Sequence, residues 1–198
     1  FFSLYFTQAM IVESARIRFA GGNPKLADGF SAALKHLKSI LVLAVIGAIV
    51  SIIVNAIQRT ARVNSGLSAI ATHLVAGLIG ASWTIVSYFS LPVILSENTS
   101  ATQSFKRSME LFGKTWGENA VSNISLMALW LPAVLFLVLG LFVSPLFLLL
   151  AVIACVIGGI LHSVAKGILS QALYEYAKTG SVPQGFEQDA VKNFYEKR

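Results

Sequence analysis

The sequence is poor in charged residues. Asp, Glu, Lys and Arg make up 12% of its 198 residues, whereas ordinary soluble domains contain roughly 25%. Hydrophobic residues make up 56% and the mean hydropathy is +0.73, which leaves too little polar surface to cover a globule in water. This composition argues against a soluble domain and predicts a protein whose solvent is lipid.

The chain also lacks the motifs of common enzyme classes. Its single cysteine, Cys155, lies within an apolar run, so neither a disulfide framework nor a cysteine metal site can form within one chain. No nucleophile elbow, P-loop, dinucleotide fingerprint or H-E-x-x-H motif is present. The three histidines, His36, His73 and His162, are scattered over two predicted spans and a loop and do not make a metal site. The sequence therefore predicts no catalytic residue, no metal and no cofactor.

Five apolar segments predict an all-α fold, a polytopic bundle of transmembrane helices in one domain over residues 1–178. A span needs about 20 apolar residues, and the opening stretch is shorter and begins with Phe1. It also lacks the basic region of a signal peptide, so we expect the remainder of a span that starts upstream. The predicted spans lie at about residues 1–18, 39–57, 67–95, 118–142 and 145–170, followed by a cytoplasmic tail at residues 179–198.

The fifth span opens at Ser144–Pro145 and could continue as helix to Tyr176. Such a helix would be about 48 Å long, beyond a hydrocarbon core of about 30 Å. Either it bends at Gly158–Gly159 or its end stands out of the membrane. We expect the second, because charged residues fall in the overhang.

Two short amphipathic helices are predicted between the spans, at about residues 25–38 and 99–114. Apolar side chains recur at helical spacing along one face of each. In the first helix they are Leu26, Phe30, Ala33, Leu34 and Leu37, and in the second Ala101, Phe105, Met109, Phe112 and the following Trp116. We expect both helices to lie along the cytoplasmic interface of the membrane, although each could instead pack under the bundle as a plain connector.

The distribution of basic residues predicts the orientation. Thirteen of the fifteen Lys and Arg residues fall in the two long loops and near the C-terminus, and only Arg59 and Arg62 fall on the other side. The positive-inside rule then places the long loops and the C-terminus in the cytoplasm, in a cell membrane of the inner or plasma type. The net charge of +6 fits anionic headgroups better than nucleic acid. The candidate headgroup-binding residues are Lys35, Lys38, Lys106, Arg107, Trp116 and Lys166.

Polar residues within the spans are the second set of candidates. Asn55, His73 and His162 could form an intramembrane polar cluster. His162 and Lys166 lie one helical turn apart and could serve an intramembrane enzyme. In the simpler interpretation, Lys166 reaches the headgroups and His162 forms a hydrogen bond within the bundle. No acidic residue falls in the middle of a span, so little buried charge is expected.

Two segments resemble an uncharacterised family of prokaryotic multi-spanning membrane proteins. The stretch that ends in Thr115-Trp116-Gly117-Glu118-Asn119 resembles its T-W-G-E-N signature, and residues 172–177 resemble its A-L-Y-x-Y-A segment. Further matches within residues 21–29, 81–93 and 180–186 extend the resemblance over nearly the whole chain. It implies a six-span protein with a cytoplasmic N-terminus, without implying a function. The layout is also similar, more loosely, to the membrane domain attached to some glycerophosphodiester phosphodiesterases.

These features favour a non-enzymatic integral membrane protein that organises lipid or serves as a scaffold or accessory subunit of a membrane assembly. One alternative is a transporter or channel for a small or lipid-like solute. Another is an intramembrane enzyme that uses His162 and Lys166. The expected partners are membrane lipids with anionic headgroups at the cytoplasmic face and either a partner membrane protein or a second copy of the chain, but not nucleic acid.

Overall fold

The structure is a computed structural model that describes residues 1–63, 66–115, 125–183 and 185, with the side chains of residues 61–63 excepted. All secondary structure in these ranges is helical, which confirms the predicted all-α fold class. The helices are α1 (Phe2–Phe19), α2 (Leu26–Lys35), α3 (Leu37–Val63), α4 (Leu67–Tyr88), α5 (Ser90–Glu97), α6 (Ala101–Lys114), α7 (Leu131–Phe142) and α8 (Leu146–Thr179), with a 3₁₀ turn at Ala128–Trp130 before α7.

Within the described ranges, four stretches are long and apolar enough to cross a membrane. They are Leu37–Thr60, Leu67–Glu97, Ser125–Phe142 and Leu146–Thr179, and they confirm a multi-spanning membrane protein. Helix α1 is not among them, and its 18 residues include three charged ones. That α1 is the remainder of a span stays a prediction. The start of the predicted fourth span lies outside the described residues, as do the T-W-G-E-N motif from Trp116 onwards and most of the predicted tail.

Helix α1 lies at the centre of the packed part of the molecule and contacts α2, α3, α5 and α8. Its buried residues include Ala9, Val12 and Ala15, whose small side chains let the surrounding helices approach. Helices α3 and α4 pack against each other as one hairpin, and α7 and α8 form another. The two hairpins therefore meet through α1.

A break separates α4 from α5 where the third span was predicted to be continuous. Pro92 has no amide hydrogen, and its ring clashes with the carbonyl four residues earlier, that of Tyr88. The hydroxyl of Ser108, on α6, inserts between two backbone groups that would otherwise bond to each other in a continuous helix. It accepts from the Phe89 amide at 3.0 Å and donates to the Ile85 carbonyl at 3.2 Å. This insertion fixes α6 beneath the break.

Helix α8 is a single helix of 34 residues without a break at Gly158–Gly159. Its last turns pack against α5 and α6, where the buried Tyr174 contacts Phe89, Val93 and Leu111. The end of α8 therefore belongs to a packed cluster that also contains α6, the second predicted interfacial helix.

Candidate functional site

Helix α2 has an apolar face that the rest of the described chain leaves uncovered. Leu26 is 80% exposed, Phe30 48% and Leu34 47%, and these residues follow one another at steps of four along one side of the helix. The face against α1 consists instead of Gly29 and Ala33, which are buried. Much of the surface of these three side chains is therefore left uncovered by the described residues.

The contact of α2 with α1 is close because Gly29 has no side chain. A Cβ atom at Gly29 would lie 2.8 Å from the carbonyl oxygen of Met10, a distance that backbone atoms do not tolerate. Beside this contact, the ring of Phe30 lies edge-on to that of Phe6, with centroids 5.6 Å apart. The uncovered face of α2 is thus continuous with the aromatic side of α1.

Helix α6 is packed differently from α2. Its buried residues are Ala101, Ser104, Ser108 and Leu111. Part of the predicted apolar stripe also packs against other helices. Phe105 lies against Trp83, with ring centroids 5.7 Å apart, and Phe112 lies against Tyr88. Met109 of this stripe is 47% exposed. The connector interpretation therefore describes α6 better than α2.

The candidate headgroup-binding residues divide into two groups. Lys35, Lys38, Lys106 and Lys166 are exposed, and no hydrogen bond or ion pair joins them to another residue that the structure describes. Arg107 is engaged, since its Nε donates to Glu97 Oε1 at 3.5 Å and its Nη1 donates to Glu110 Oε2 at 3.1 Å. Within the described ranges these four lysines have no carboxylate partner, whereas Arg107 shares its charge with two carboxylates. The predicted sixth candidate, Trp116, lies outside the described residues.

A polar network that the sequence did not predict joins α5, α6 and α8. The hydroxyl of the fully buried Tyr174 donates to Glu97 Oε1 at 2.9 Å, and Lys178 Nζ donates to that hydroxyl at 3.3 Å. Glu97 also accepts from Arg107. Tyr174 lies in the A-L-Y-x-Y-A segment, which was the only signal in the sequence that pointed to it.

Glu13 is a buried charge, contrary to the expectation that little charge is buried. Its side chain lies within α1, where neighbouring helices cover it, and 6% of the residue is exposed. Both carboxylate oxygens are satisfied by Arg16, whose Nε and Nη2 donate at 2.8 Å and 2.6 Å. A bidentate pair of this kind offsets the cost of removing the carboxylate from water.

His36 lies between α2 and α3 and is 9% exposed. Burial lowers its pKa, and the positive charge of Lys35 lowers it further, whereas the Glu13 carboxylate acts in the opposite direction. The neutral form of the imidazole is therefore favoured at the joint between the amphipathic helix and the first long span.

The three residues of the predicted intramembrane cluster have separate surroundings. Asn55 Nδ2 donates to the Ser51 carbonyl of its own helix at 2.8 Å, and His73 is exposed on α4. His162 lies on α8 with its ring centroid 6.0 Å from that of Trp130. No hydrogen bond joins any two of the three, although all lie in the described part of the chain. The main packing partners of α8 are α7 and α1 rather than α3 or α4.

No hydrogen bond joins His162 to Lys166 in the described part of the chain. The Nδ1 atom of His162 is buried without a hydrogen-bond partner there, and Lys166 is exposed. At the next residue, Ser163, Gln8 Nε2 donates to the hydroxyl at 2.6 Å and to the carbonyl at 2.9 Å. Sequence reasoning missed this bond because Gln8 and Ser163 are 155 positions apart.

The described residues contain no group of His, Cys, Asp and Glu that could hold a metal ion. These residues present an uncovered apolar helix face, lysines without a carboxylate partner, and an internal network that holds α6 and the end of α8.

Comparison with known proteins agrees with the resemblance read from the sequence. The model of one family, described as a family of unknown function (DUF6159), matches residues 1–185. No curated protein and no solved structure matches the chain, and the looser similarity to the membrane domain of glycerophosphodiester phosphodiesterases stays a prediction. The chain belongs to the family of unknown function DUF6159.

Proposed function

We propose that this chain is a non-enzymatic membrane protein that binds and organises anionic lipids at the cytoplasmic interface, as a scaffold or as an accessory subunit of a membrane assembly. The observation that carries the proposal is the uncovered face of α2, formed by Leu26, Phe30 and Leu34. Amphipathic helices with such a face lie in the membrane interface with the apolar side toward the acyl chains.

The unpaired lysines support the same function. Lys35 ends α2, and Lys38 lies in the first turn of α3, the first long apolar helix, so both belong at the boundary between hydrocarbon and headgroups. Each basic residue near an anionic membrane surface contributes about 1 kcal/mol of attraction. Because no carboxylate of the described residues neutralises these two charges, they are available to lipid phosphates.

The hydrogen-bond network around Glu97 supports a rigid scaffold rather than a segment that changes conformation. It connects α5, α6 and α8 through Tyr174 and Arg107, so the interfacial segments on that side are attached to the spans. We further propose that this end faces the cytoplasm of an inner or plasma membrane, because most of the basic residues lie there. A partner membrane protein or a second copy would bind the exposed spans.

The test is lipid selectivity measured by electron paramagnetic resonance in reconstituted membranes. Spin-labelled phosphatidylglycerol and spin-labelled phosphatidylcholine are compared for the fraction immobilised at the protein. We expect the wild-type chain to prefer phosphatidylglycerol and to lose this preference as salt rises. The variant with Lys35, Lys38, Lys106 and Lys166 all changed to Gln should lose most of it even at low salt.

A matched pair of variants controls for loss of charge alone. Lys38 and Arg59 are both exposed residues of α3, at opposite ends of the helix. Lys38→Gln should reduce the preference for phosphatidylglycerol, and Arg59→Gln should leave it nearly unchanged. Equal immobilisation of the two lipids by the wild-type chain would refute the proposal.

A further inference from the structure

The joint between α4 and α5 is a break that a side chain from another helix holds open. In a continuous helix the Phe89 amide would donate to the Ile85 carbonyl, four residues earlier. The Ser108 hydroxyl of α6 lies between these two groups, since it accepts from the amide at 3.0 Å and donates to the carbonyl at 3.2 Å. One hydrogen bond of the helix is thereby replaced by two hydrogen bonds to the inserted hydroxyl.

The backbone at the break remains close to helical. Phe89 is the single residue between the two helices, and its dihedral angles are φ −95° and ψ 4°. An α-helix has values of about −63° and −42°, so a modest rotation within one residue separates the bent joint from a straighter one. Pro92 weakens the same stretch, because it has no amide hydrogen to donate to the Tyr88 carbonyl.

An exchange of partners at this joint costs no hydrogen bond. Ser108 is fully buried, so its hydroxyl must find a partner within the protein. If the hydroxyl leaves the joint, the Phe89 amide can bond directly to the Ile85 carbonyl. The hydroxyl can then donate to the Ser104 carbonyl of its own helix, as Ser14 does to the carbonyl four residues before it at 2.9 Å. Both arrangements contain two hydrogen bonds and satisfy the same buried groups.

The helices on the two sides of the break are held differently. Helices α5, α6 and α8 are connected through Glu97, which accepts from Arg107 and Tyr174. Helix α4 instead packs along α3 as one hairpin. A rotation at Phe89 therefore tilts the α3–α4 hairpin as a unit against the body that α5, α6 and α8 form.

From this arrangement we infer that Ser108 is a removable wedge. The chain exchanges between a bent α4–α5 joint with the wedge inserted and a straighter joint with the wedge withdrawn. The equal number of hydrogen bonds keeps the two states similar in free energy, as a two-state element requires. Because α6 carries the wedge and α4 carries the hairpin, binding to the interfacial helix and binding to these two spans influence each other reciprocally.

The expected movement is large enough to measure. Ala71, near the far end of α4, lies about 26 Å from the joint at 1.5 Å per residue. Removing a bend of about 20° would displace it by about 9 Å.

The experiment is double electron–electron resonance on the full chain in reconstituted membranes, in a Cys155→Ala background. One pair of labels, at Ala71→Cys and Val152→Cys, measures the hairpin against α8, and both positions are exposed. With Ser108 in place, we expect this pair to show two distances. Ser108→Ala removes the wedge and should leave only the distance of the straighter joint.

Two controls separate the wedge from general effects on packing. Ser104 is also a buried serine of α6, but its hydroxyl donates to the Ala101 carbonyl of its own helix at 2.7 Å. Ser104→Ala should therefore leave both distances of the first pair unchanged. A second pair of labels, at Thr102→Cys and Val152→Cys, lies within the body of α6 and α8 and should show one distance in every variant.

Three outcomes would overturn the inference. A single distance for the first pair with Ser108 in place excludes the exchange, and this measurement decides the matter even where Ser108→Ala does not fold. A distribution that Ser108→Ala leaves unchanged shows that the hydroxyl does not hold the bend. An equal shift in Ser104→Ala, or a shift in the second pair, assigns the effect to loosening of α6 rather than to the wedge.

Discussion

The insertion of α2 into the membrane can be tested by making its uncovered face polar. We consider the double variant Leu26→Gln/Leu34→Gln, because Gln has a helix propensity close to that of Leu and because these side chains do not form the contact of α2 with α1. Phe30 is left in place, since its ring packs against Phe6. The change therefore removes apolar surface that faces outward and leaves the inner packing of α2 intact.

The expected magnitude follows from the exposed fractions. Moving a whole Leu side chain from water into an apolar medium is worth about 1.5–3 kcal/mol. Leu26 is 80% exposed and Leu34 is 47% exposed, so insertion of the two would contribute about 3 kcal/mol in total. Losing that contribution shifts the equilibrium between an inserted and a lifted helix by roughly a hundredfold.

The assay is site-directed spin labelling in reconstituted membranes. Cys155 is the single cysteine, so a Cys155→Ala background with Ala27→Cys places one label on α2. We expect the label to be accessible to oxygen and protected from a water-soluble nickel reagent, and the double Gln variant to reverse this. A label introduced by Thr102→Cys at an exposed position of α6 should not change between the two backgrounds. The reasoning is wrong if the α2 label is already fully accessible to the nickel reagent in the Ala27→Cys protein without the Gln changes.

The remaining predictions concern stability and are measured by unfolding in detergent, followed by circular dichroism. Tyr174→Phe removes the hydroxyl that donates to Glu97 and should lower the free energy of unfolding by about 1–3 kcal/mol; an unchanged unfolding midpoint would contradict the role given to this bond. Gly29→Ala should destabilise the protein by about 1–3 kcal/mol because the new Cβ would lie 2.8 Å from the Met10 carbonyl oxygen. Gly77→Ala is its control, since nothing lies within 4 Å of a Cβ there, and equal effects would refute the close approach. Because the pKa of His36 is lowered in the folded state, the unfolded state binds the proton more readily, so stability should fall as the pH drops below about 6.5. His36→Gln should flatten that part of the stability profile, and an identical slope in both proteins would exclude His36 as its cause.

The sequence predicted the features that depend on local composition. Hydropathy is a property of each segment alone, so the four long apolar helices could be located without knowing their neighbours. The same holds for the stripe of Leu26, Phe30 and Leu34, whose spacing along one helix face appears in the sequence. The break near Pro92 was not predicted, because the hydrogen bonds that accompany it come from Ser108 of another helix.

Whether an amphipathic stripe faces outward or inward was decided by tertiary packing. Helices α2 and α6 carry similar patterns. Helix α2 packs against α1 through its small residues Gly29 and Ala33, which leaves its apolar stripe outside. In α6, by contrast, Phe105 and Phe112 of the stripe pack against aromatic rings of α4. A pattern along one helix does not specify which face meets a neighbour. That choice depends on the shapes that distant segments present.

The polar contacts between distant residues also depended on tertiary packing. The sequence alone determined that this is a helical membrane protein with unevenly distributed basic residues, because apolar length and charge are read one segment at a time. Only the tertiary structure brought Tyr174 to Glu97 across 77 positions, covered Glu13 with neighbouring helices, and kept His162 on a helix that packs mainly against α7 and α1. Hydrogen bonds require groups to meet within about 3 Å, and for residues far apart in the chain the packing of helices alone decides which groups come that close.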